Sequence, residues 1–325
     1  MSYADKVFRD TVMDIIENGT DTRNEDVRPH WPDGTLAYTI KKFGVANTYD
    51  LRKEFPACTF RKTAIKSCMD EILWIYQKKS NNIHDLKPHI WDEWADESGS
   101  IGKAYGYQVG KKDQIRVWTS QPSIELPFMY PVEKKYHTER AANLVKTDKK
   151  GEDIFYTATL KLWIDQMDAV LYDLKHTPFS RRIKINLYNV HELNEMHLYP
   201  CCYDLTFNVT VEAGYDKPIL NLHLNQRSQD MLAANNWNVC QYSILLMMVA
   251  QSVNMIPGKL FHTITDCHIY DRHVEPILNL IEREEFPAPK VYLNPEVTNF
   301  YDFTTKDLIV EGYRYGEQIE IPIAI

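Results

Sequence analysis

The sequence predicts an α+β fold, and two observations lead to this class. Segments with apolar residues at helical spacing are interleaved with segments that alternate as antiparallel strands do. The chain also has no glycine-rich phosphate loop, so a doubly wound parallel sheet is disfavoured. Its 325 residues and 44% apolar content are enough to bury a large core. We expect a single domain over residues 1–325 with a surface insertion at 109–156, where no periodicity is sustained.

Five segments carry the helical pattern. They cover residues 3–17, 63–77, 164–176, 237–255 and 273–284. Asn18 and Gly19 mark the end of the first helix, and Pro178 stops the third one. The fourth helix is long and strongly apolar, so we expect it at the centre of the core. Glu71 lies beside the apolar stripe of the second helix, either at its solvated edge or as a site carboxylate.

Alternation typical of strands occurs in five other segments. They cover residues 34–49, 183–187, 203–212, 219–225 and 261–270. Small strands are also expected around residues 115–118, inside the predicted insertion. His268 and Tyr270 share one face of the last strand, and this pair alone is more typical of a structural role than of ligand binding.

Composition and charge exclude several classes of protein. A net charge of −8 disfavours a general nucleic-acid surface, so any phosphate ligand would need a local arginine cluster. Six cysteines without a C-x-x-C pair indicate a reduced, cytoplasmic setting, and we expect no metal. The N-terminus has no signal-peptide pattern, and the longest apolar run, residues 244–250, is too short to span a bilayer.

One cysteine lies in a setting that suits nucleophilic chemistry. Cys201 follows Pro200 between two strand-like runs, and Arg227 lies in a polar cluster shortly downstream. A thiol becomes a strong nucleophile only as thiolate, and a nearby guanidinium favours that form. The more common alternative for an intracellular cysteine is a small buried apolar residue.

Two other clusters have both a structural and a functional interpretation. Trp91 and Trp94 are mixed with three carboxylates, which suits either a half-buried helix face or a pocket wall that stacks on a ligand. Arg181 and Arg182 begin a strand, where neighbouring side chains point to opposite faces. They are therefore either a solvated charge pair or, at a bend, ligands of one anion.

Taken in chain order, these segments resemble the thymidylate synthase family over most of the chain outside residues 109–156. The matching segments are Ile90–Asp96, Ala104–Gln108, Ser180–Arg182, Pro200–Cys201, Gln226–Ser228 with Asp230, Asn238, Asp266–Tyr270 and the apolar C-terminus. Each segment alone is weak evidence of membership in this family, whereas the whole series in family order is strong evidence. Gly110–Lys112 and Asn235–Asn238 resemble a divergent branch of the family.

The resemblance implies a three-layer α/β sandwich, with a mixed sheet packed against helices, and a homodimer joined through a sheet. It implies methylation of dUMP at C5 to give dTMP. The co-substrate would be 5,10-methylenetetrahydrofolate, which supplies both the carbon and the hydride, and no metal takes part. The implied partners are dUMP, folate and a second copy of the chain, with no membrane and no nucleic acid required for activity.

The resemblance also assigns catalytic roles. Cys201 would add to C6 of the uracil, and Arg227 would bind the phosphate and lower the thiol pKa. Glu71 would organise water near O4 and relay protons. Tyr105 would help to remove the C5 proton, and Asn238 would contact O4 and N3–H of the uracil.

The implied binding residues form two groups. Substrate binding is implied for Arg28, Arg181, Arg182, Gln226, Arg227, Ser228, Asn238, His268 and Tyr270. Arg181 and Arg182 would reach the site from the partner subunit, and His268 and Tyr270 would bond the ribose 3′-hydroxyl. Folate contacts are implied for Ile90, Trp91 and Asp230, and Ile325 would help to close a lid.

Some positions depart from the family pattern and leave alternatives open. Cys202 stands where histidine is common, Thr265 where glycine is common, and Val109 where tryptophan is common. Pyrimidine-nucleotide hydroxymethylases share the fold and nucleophile but let water capture the exocyclic methylene, so a dUMP hydroxymethylase is the alternative. Asn238 argues for uracil, because cytosine-specific relatives usually carry aspartate there. A non-catalytic paralogue that binds nucleotide or RNA is a third interpretation.

Overall fold

The computed structural model describes residues 2–112, 114–120, 138–141 and 158–324. The α-helices are α1 (Tyr3–Asn18), α2 (Ile65–Ile72), α3 (Gly106–Gly110), α4 (Gln166–His176), α5 (Trp237–Ser252) and α6 (Val274–Ile281). The strands are β1 (Thr20–Asp21), β2 (Thr39–Asp50), β3 (Gln114–Ser120), β4 (Thr138–Ala141), β5 (Ala158–Ile164), β6 (Lys184–Asn186), β7 (Cys202–Thr210), β8 (Ile219–Asp230), β9 (Ile256–Tyr270), β10 (Lys290–Leu293) and β11 (Leu308–Glu311). A π-helical turn, Leu73–Gln77, directly continues α2.

A six-stranded sheet in the order β1-β2-β9-β8-β7-β6 organises the fold. Its neighbouring strands are antiparallel except for β8 and β9, which run parallel. The expectation of antiparallel strands is therefore wrong for this pair. The reason is the crossover helix α5, which lies between the two strands in the chain and returns it to the same end of the sheet.

The core is centred on α5, as its apolar sequence predicts. Twelve of its 16 residues are buried, and the helix packs against α2, β8 and β9. A helix that is apolar on all sides must be surrounded by protein. Its N-terminal turn, which carries Asn238, is consequently held in a fixed position relative to the sheet.

The first helix begins and ends where the sequence predicts. The Ser2 Oγ accepts a hydrogen bond from the Ala4 N–H at 3.2 Å, which caps the N-terminus of α1. The Gly19 N–H donates to the Ile15 carbonyl at 2.8 Å. A Cβ at Gly19 would lie 2.3 Å from that carbonyl oxygen, so this turn accepts glycine alone.

The predicted insertion at 109–156 lies partly outside the described residues. The small strands expected around residues 115–118 are confirmed, because they lie in β3, which pairs with β5. β5 also pairs with β4, so the three strands form a second sheet in the order β3-β5-β4. That the segment is a surface insertion in a single domain stays a prediction.

Candidate active site

The register between β7 and β8 brings the candidate nucleophile to the polar cluster downstream of it. Cys202 pairs with Gln226 across the two strands, and the Arg227 N–H donates to the Cys201 carbonyl at 2.9 Å. Cys201 is half-buried, whereas Cys202 is 3% exposed and lies against Tyr242. The two adjacent thiols therefore face different surroundings, and Cys201 is the more accessible of the pair.

Tyr105 contacts the backbone of the candidate nucleophile. Its hydroxyl accepts a hydrogen bond from the Cys201 N–H at 3.0 Å. Tyr105 has a φ of +43°, a conformation that is strained for a residue other than glycine. The backbone of the neighbouring Gly106 packs closely against the backbone of Ser80. Only glycine fits there, since a Cβ at this position would lie 2.0 Å from the Ser80 carbonyl oxygen. Burial raises the pKa of the Tyr105 phenol, so the hydroxyl keeps its proton.

Two opposing influences act on the pKa of the Cys201 thiol, which the family resemblance expects Arg227 to lower. Burial raises the pKa of Cys201, and the positive charge of Arg227 opposes this rise only in part. The Arg227 guanidinium donates to the Tyr199 carbonyl at 2.8 Å and to the Pro200 carbonyl at 3.2 Å. Arg227 therefore acts on the thiol in the predicted direction, but desolvation is the larger effect.

The raised thiol pKa predicts the pH profile of alkylation. We expect the rate of Cys201 modification by iodoacetamide to rise about tenfold per pH unit up to at least pH 9, because the thiolate fraction grows by this factor below the pKa. Arg227→Ala should lower the rate at each pH, whereas Arg227→Lys, which keeps the positive charge, should lower it less. Mass spectrometry of the Cys201 peptide measures the rate. A plateau below pH 8 would contradict the raised pKa.

Glu71 is buried and receives two indole hydrogen bonds, so the interpretation of a solvated edge is wrong. Its Oε1 accepts from Trp91 Nε1 at 2.9 Å, and its Oε2 accepts from Trp237 Nε1 at 2.7 Å. Burial raises the pKa of Glu71, although the hydrogen bonds from Trp237, Trp91 and Gln241 oppose the rise. A carboxyl group with a raised pKa suits proton relay near neutral pH.

Trp91 joins this carboxylate to the tyrosine beside Cys201. Its ring meets the Tyr105 ring edge to face, with centroids 4.9 Å apart, and it also packs against Trp74 and Trp94. The ring is only 7% exposed, whereas its neighbour Ile90 is 38% exposed. The tryptophan segment is thus partly core and partly a wall open to a ligand.

Asn238 lies in the first turn of α5 among other side-chain amides. Its Oδ1 accepts from Gln226 Nε2 at 3.3 Å and from Gln229 Nε2 at 3.4 Å. Its Nδ2 donates to Gln241 Oε1 at 2.9 Å, and Gln241 in turn is among the groups that lower the pKa of Glu71. The half-buried Asn238 is therefore held by the buried Gln241 as well as by the two glutamines of β8.

The end of β9 forms another side of the same site. His268 Nδ1 lies 2.7 Å from Asp266 Oδ1, and its ring meets Tyr270 edge to face at 5.1 Å. Burial raises the pKa of Tyr270 to about 12; the Cys201 thiol adds to the rise and Arg28 opposes it.

Asp230 and His273 form a buried pair beside Tyr270. Burial alone would raise the pKa of Asp230, but contacts with His273, the Ala233 N–H and His268 together lower it. The His273 Nδ1 lies 3.6 Å from Asp230 Oδ1, and its Nε2 donates to the Pro322 carbonyl at 2.7 Å. The C-terminal segment is thus attached to the site through His273.

The sequence did not single out three residues of this site. His273 and Gln241 fall only in predicted helices, and Trp237 falls in a helix and in the segment that resembles a divergent branch of the family, so the sequence gives none of the three a role in the site. The available signal was position: Trp237 and Gln241 flank Asn238, and His273 follows Tyr270 by three residues.

Some predicted site residues are not brought to Cys201 within this chain. Arg181 and Arg182 are exposed in the turn between α4 and β6, and their side chains make no ion pair with a described residue. Ser228 is half-buried in β8. Ile325 lies outside the described residues.

Two further findings concern the described ranges as a whole. They contain no group of three or more histidine, cysteine, aspartate or glutamate side chains that could hold a metal ion. Within the same ranges, no helix has the length and apolar character needed to cross a membrane.

Known proteins are similar to this chain in both sequence and architecture. The family model described as thymidylate synthase matches residues 6–325. Thymidylate synthase 1 of Bacillus subtilis strain 168 is 36% identical over 329 aligned residues, which cover 100% of both proteins. The thymidylate synthase of Bacillus phage phi3T is 34% identical with the same coverage. The structure of a thermostable thymidylate synthase A from Bacillus subtilis matches with a TM-score of 0.80, 34% identity and complete coverage of both chains, which confirms the α+β fold. The chain therefore belongs to the thymidylate synthase family of methyltransferases.

Proposed function

We propose that this chain methylates dUMP at C5 to give dTMP, with 5,10-methylenetetrahydrofolate as the donor of carbon and hydride. The observation that supports this most directly is that Cys201 contacts both Tyr105 and Arg227. Asn238 is joined to this place through Gln226, and Glu71 through Trp91, whose ring packs on Tyr105. The names of the Bacillus relatives support the same reaction.

In the proposed mechanism, Cys201 Sγ attacks C6 of the uracil and makes C5 nucleophilic. The raised thiol pKa means that the thiolate must form in the presence of the substrate. The bound phosphate would draw the Arg227 guanidinium from the Tyr199 and Pro200 carbonyls, since a phosphate dianion attracts this cation more strongly than neutral carbonyl oxygens do. The elimination step that follows later returns the thiol and frees the product.

Proton transfers fall to Glu71 and Tyr105. As C5 gains the one-carbon unit it must lose its proton, and the Tyr105 hydroxyl, which already contacts the Cys201 N–H, is placed to help. The raised pKa of Glu71 allows it to hold a proton for the oxygen at C4, which the proton would reach through water.

The folate co-substrate supplies the carbon and the hydride when it is bound. The side chains at the proposed folate site suit a flat, polar ring, since Ile90 is partly exposed beside the Trp91 ring and Asp230 offers an ionised carboxylate. Ile90 and Trp91 would contact the ring face, and Asp230 would accept hydrogen bonds from ring N–H groups. The C-terminal segment, attached through Pro322 and His273 and ending at Ile325, would exclude water.

A homodimer would complete the phosphate site. The face of the six-stranded sheet away from α5 carries His223 and Phe261, whose rings lie 4.8 Å apart, and Phe261 is 39% exposed. A second copy packed on this face would bury these rings and bring the partner subunit's Arg181 and Arg182 to the phosphate, with Arg28 and Ser228 from the same chain. Guanidinium groups suit a phosphate dianion, which the net charge of −8 would otherwise repel.

The product distinguishes the synthase from the alternative, a dUMP hydroxymethylase. Incubation with dUMP and methylenetetrahydrofolate should yield dTMP by mass and an equal amount of dihydrofolate by absorbance. Hydride transfer to the exocyclic methylene should be faster than attack by water, because Ile90, Trp91 and the C-terminal segment would keep water away from it. Hydroxymethyl-dUMP without dihydrofolate would favour the hydroxymethylase, and binding without either product would favour a non-catalytic paralogue.

A further inference from the structure

A chain of side-chain hydrogen bonds runs from His262 in β9 to Gln241 in α5. It passes through Gln226 and Asn238. His262 is 0% exposed and Gln226 is 2% exposed, so neither can exchange these bonds for water. The proposed mechanism uses the Asn238 end of this chain and gives no role to His262.

Two backbone carbonyls set the direction of the first hydrogen bonds in this chain. Gln226 Nε2 lies 2.8 Å from the Ser228 carbonyl oxygen, and Gln229 Nε2 lies 3.3 Å from the Asp230 carbonyl oxygen. A carbonyl oxygen only accepts hydrogen bonds, so the NH₂ group of each glutamine must face its carbonyl. The second N–H of each glutamine then points at Asn238 Oδ1.

The same constraint determines the protonation of His262. With the NH₂ group of Gln226 turned to Ser228, its Oε1 faces His262 Nε2 at 2.8 Å. An amide oxygen only accepts, so Nε2 must carry a hydrogen. Burial lowers the pKa of His262 to about 3, so the ring is neutral and has one N–H. Its Nδ1 has no hydrogen-bond partner among the described residues, in agreement with this tautomer.

The amide of Asn238 is therefore held in one direction. Its Oδ1 faces two donors from Gln226 and Gln229, and its Nδ2 donates one hydrogen to Gln241. The second hydrogen on Nδ2 is left to meet a ligand. An oxygen at C4 of a pyrimidine accepts that hydrogen, whereas an amino group at C4 cannot accept it and would leave a buried donor unpaired.

We propose that His262 is a positioning residue that holds the Asn238 amide in the direction that selects a 4-oxo over a 4-amino pyrimidine ring. This inference rests on the proposed function, in which Asn238 contacts the base. Without the His262 donor, Gln226 Oε1 would be buried without a partner, and the side chain would move to find one. Asn238 would then lose the donor that keeps its oxygen turned inward.

The test compares nucleotide binding by wild type, His262→Phe and His262→Gln. The ratio of the Kd for dCMP to the Kd for dUMP should fall about fivefold in His262→Phe, since the loss of about 1 kcal/mol of hydrogen bonding corresponds to that factor. His262→Gln can donate from its amide and should restore most of the ratio. His262→Leu is the second apolar variant, and thermal unfolding shows which variants are folded. Isothermal titration measures binding without turnover.

Each outcome bears on a separate statement. An unchanged ratio in a folded apolar variant, or an equal loss in His262→Gln, would overturn the role of His262. A wild-type protein without preference for dUMP would overturn it as well. Absence of dTMP formation by a wild-type protein that prefers dUMP would instead contradict the proposed function and leave the positioning role supported.

Discussion

Replacement of Cys201 by serine is expected to lower kcat by about 10⁴-fold or more, as loss of a catalytic nucleophile commonly does. A hydroxyl ionises far less readily than a thiol, so the attack on C6 of the uracil would not occur. Binding of dUMP should persist, because Arg227, Asn238 and Tyr270 do not depend on the sulfur. The loss of turnover is measured by dihydrofolate formation, and the retained binding by calorimetry.

Cys202→Ser is the matched control, because it makes the same atomic change one residue away. Cys202 is 3% exposed and packs beside Tyr242, where a hydroxyl keeps a polar neighbour. We expect this variant to keep at least about a tenth of the activity, with a small loss of stability of about 1 kcal/mol. An inactive Cys202→Ser and an active Cys201→Ser would reverse the assignment of the nucleophile.

Activity is expected to return when two inactive variants are mixed under conditions of subunit exchange. Arg181→Ala alone should reduce kcat/KM about 100-fold, the effect of losing one or two charge-assisted hydrogen bonds. In a dimer of Arg181→Ala with Cys201→Ser chains, the site that keeps Cys201 receives an intact Arg181 from the partner. With random exchange, half of the dimers are mixed and each has one complete site, so about a quarter of the wild-type activity should return.

A second mixture tests whether the recovery has the proposed cause. Arg227 would act on Cys201 in its own chain, since its N–H donates to the Cys201 carbonyl. Mixing Arg227→Ala with Cys201→Ser therefore leaves every site incomplete, and no recovery is expected. Recovery in both mixtures, or in neither after exchange has been demonstrated by mass, would exclude the cross-subunit role of Arg181.

The sequence predicted the positions of helices and strands better than it predicted how the strands pair. The ends of α1, α4 and α5 lie within three residues of the expected segments, because apolar periodicity is a local property. The parallel pairing of β8 and β9 was missed, since alternation along a strand carries no information about the direction of its neighbour. β8 also extends to Asp230, five residues past the predicted end, because its polar residues Gln226–Asp230 gain partners only when the site assembles.

For the candidate site as well, the sequence predicted individual residues better than their surroundings. Family resemblance selected Cys201, Tyr105 and Asn238; in the fold Tyr105 bonds Cys201, and Asn238 lies among the side-chain amides of β8. The family resemblance did not predict the raised pKa of the Cys201 thiol, because desolvation depends on how deeply the fold buries the sulfur. It also gave no role to His262, whose position in an alternating strand is ordinary and whose meaning comes from hydrogen-bond direction.

The raised pKa of Cys201 has a consequence for the lifetime of the protein. Peroxide reacts with thiolates, so a smaller thiolate fraction slows conversion of the sulfur to sulfenic acid. Such resistance matters here because the adjacent Cys202 is turned into the core against Tyr242 and is badly placed to rescue an oxidised neighbour through a disulfide. Burial thus disfavours ionisation of the thiol, and by the same effect it slows oxidation of the sulfur.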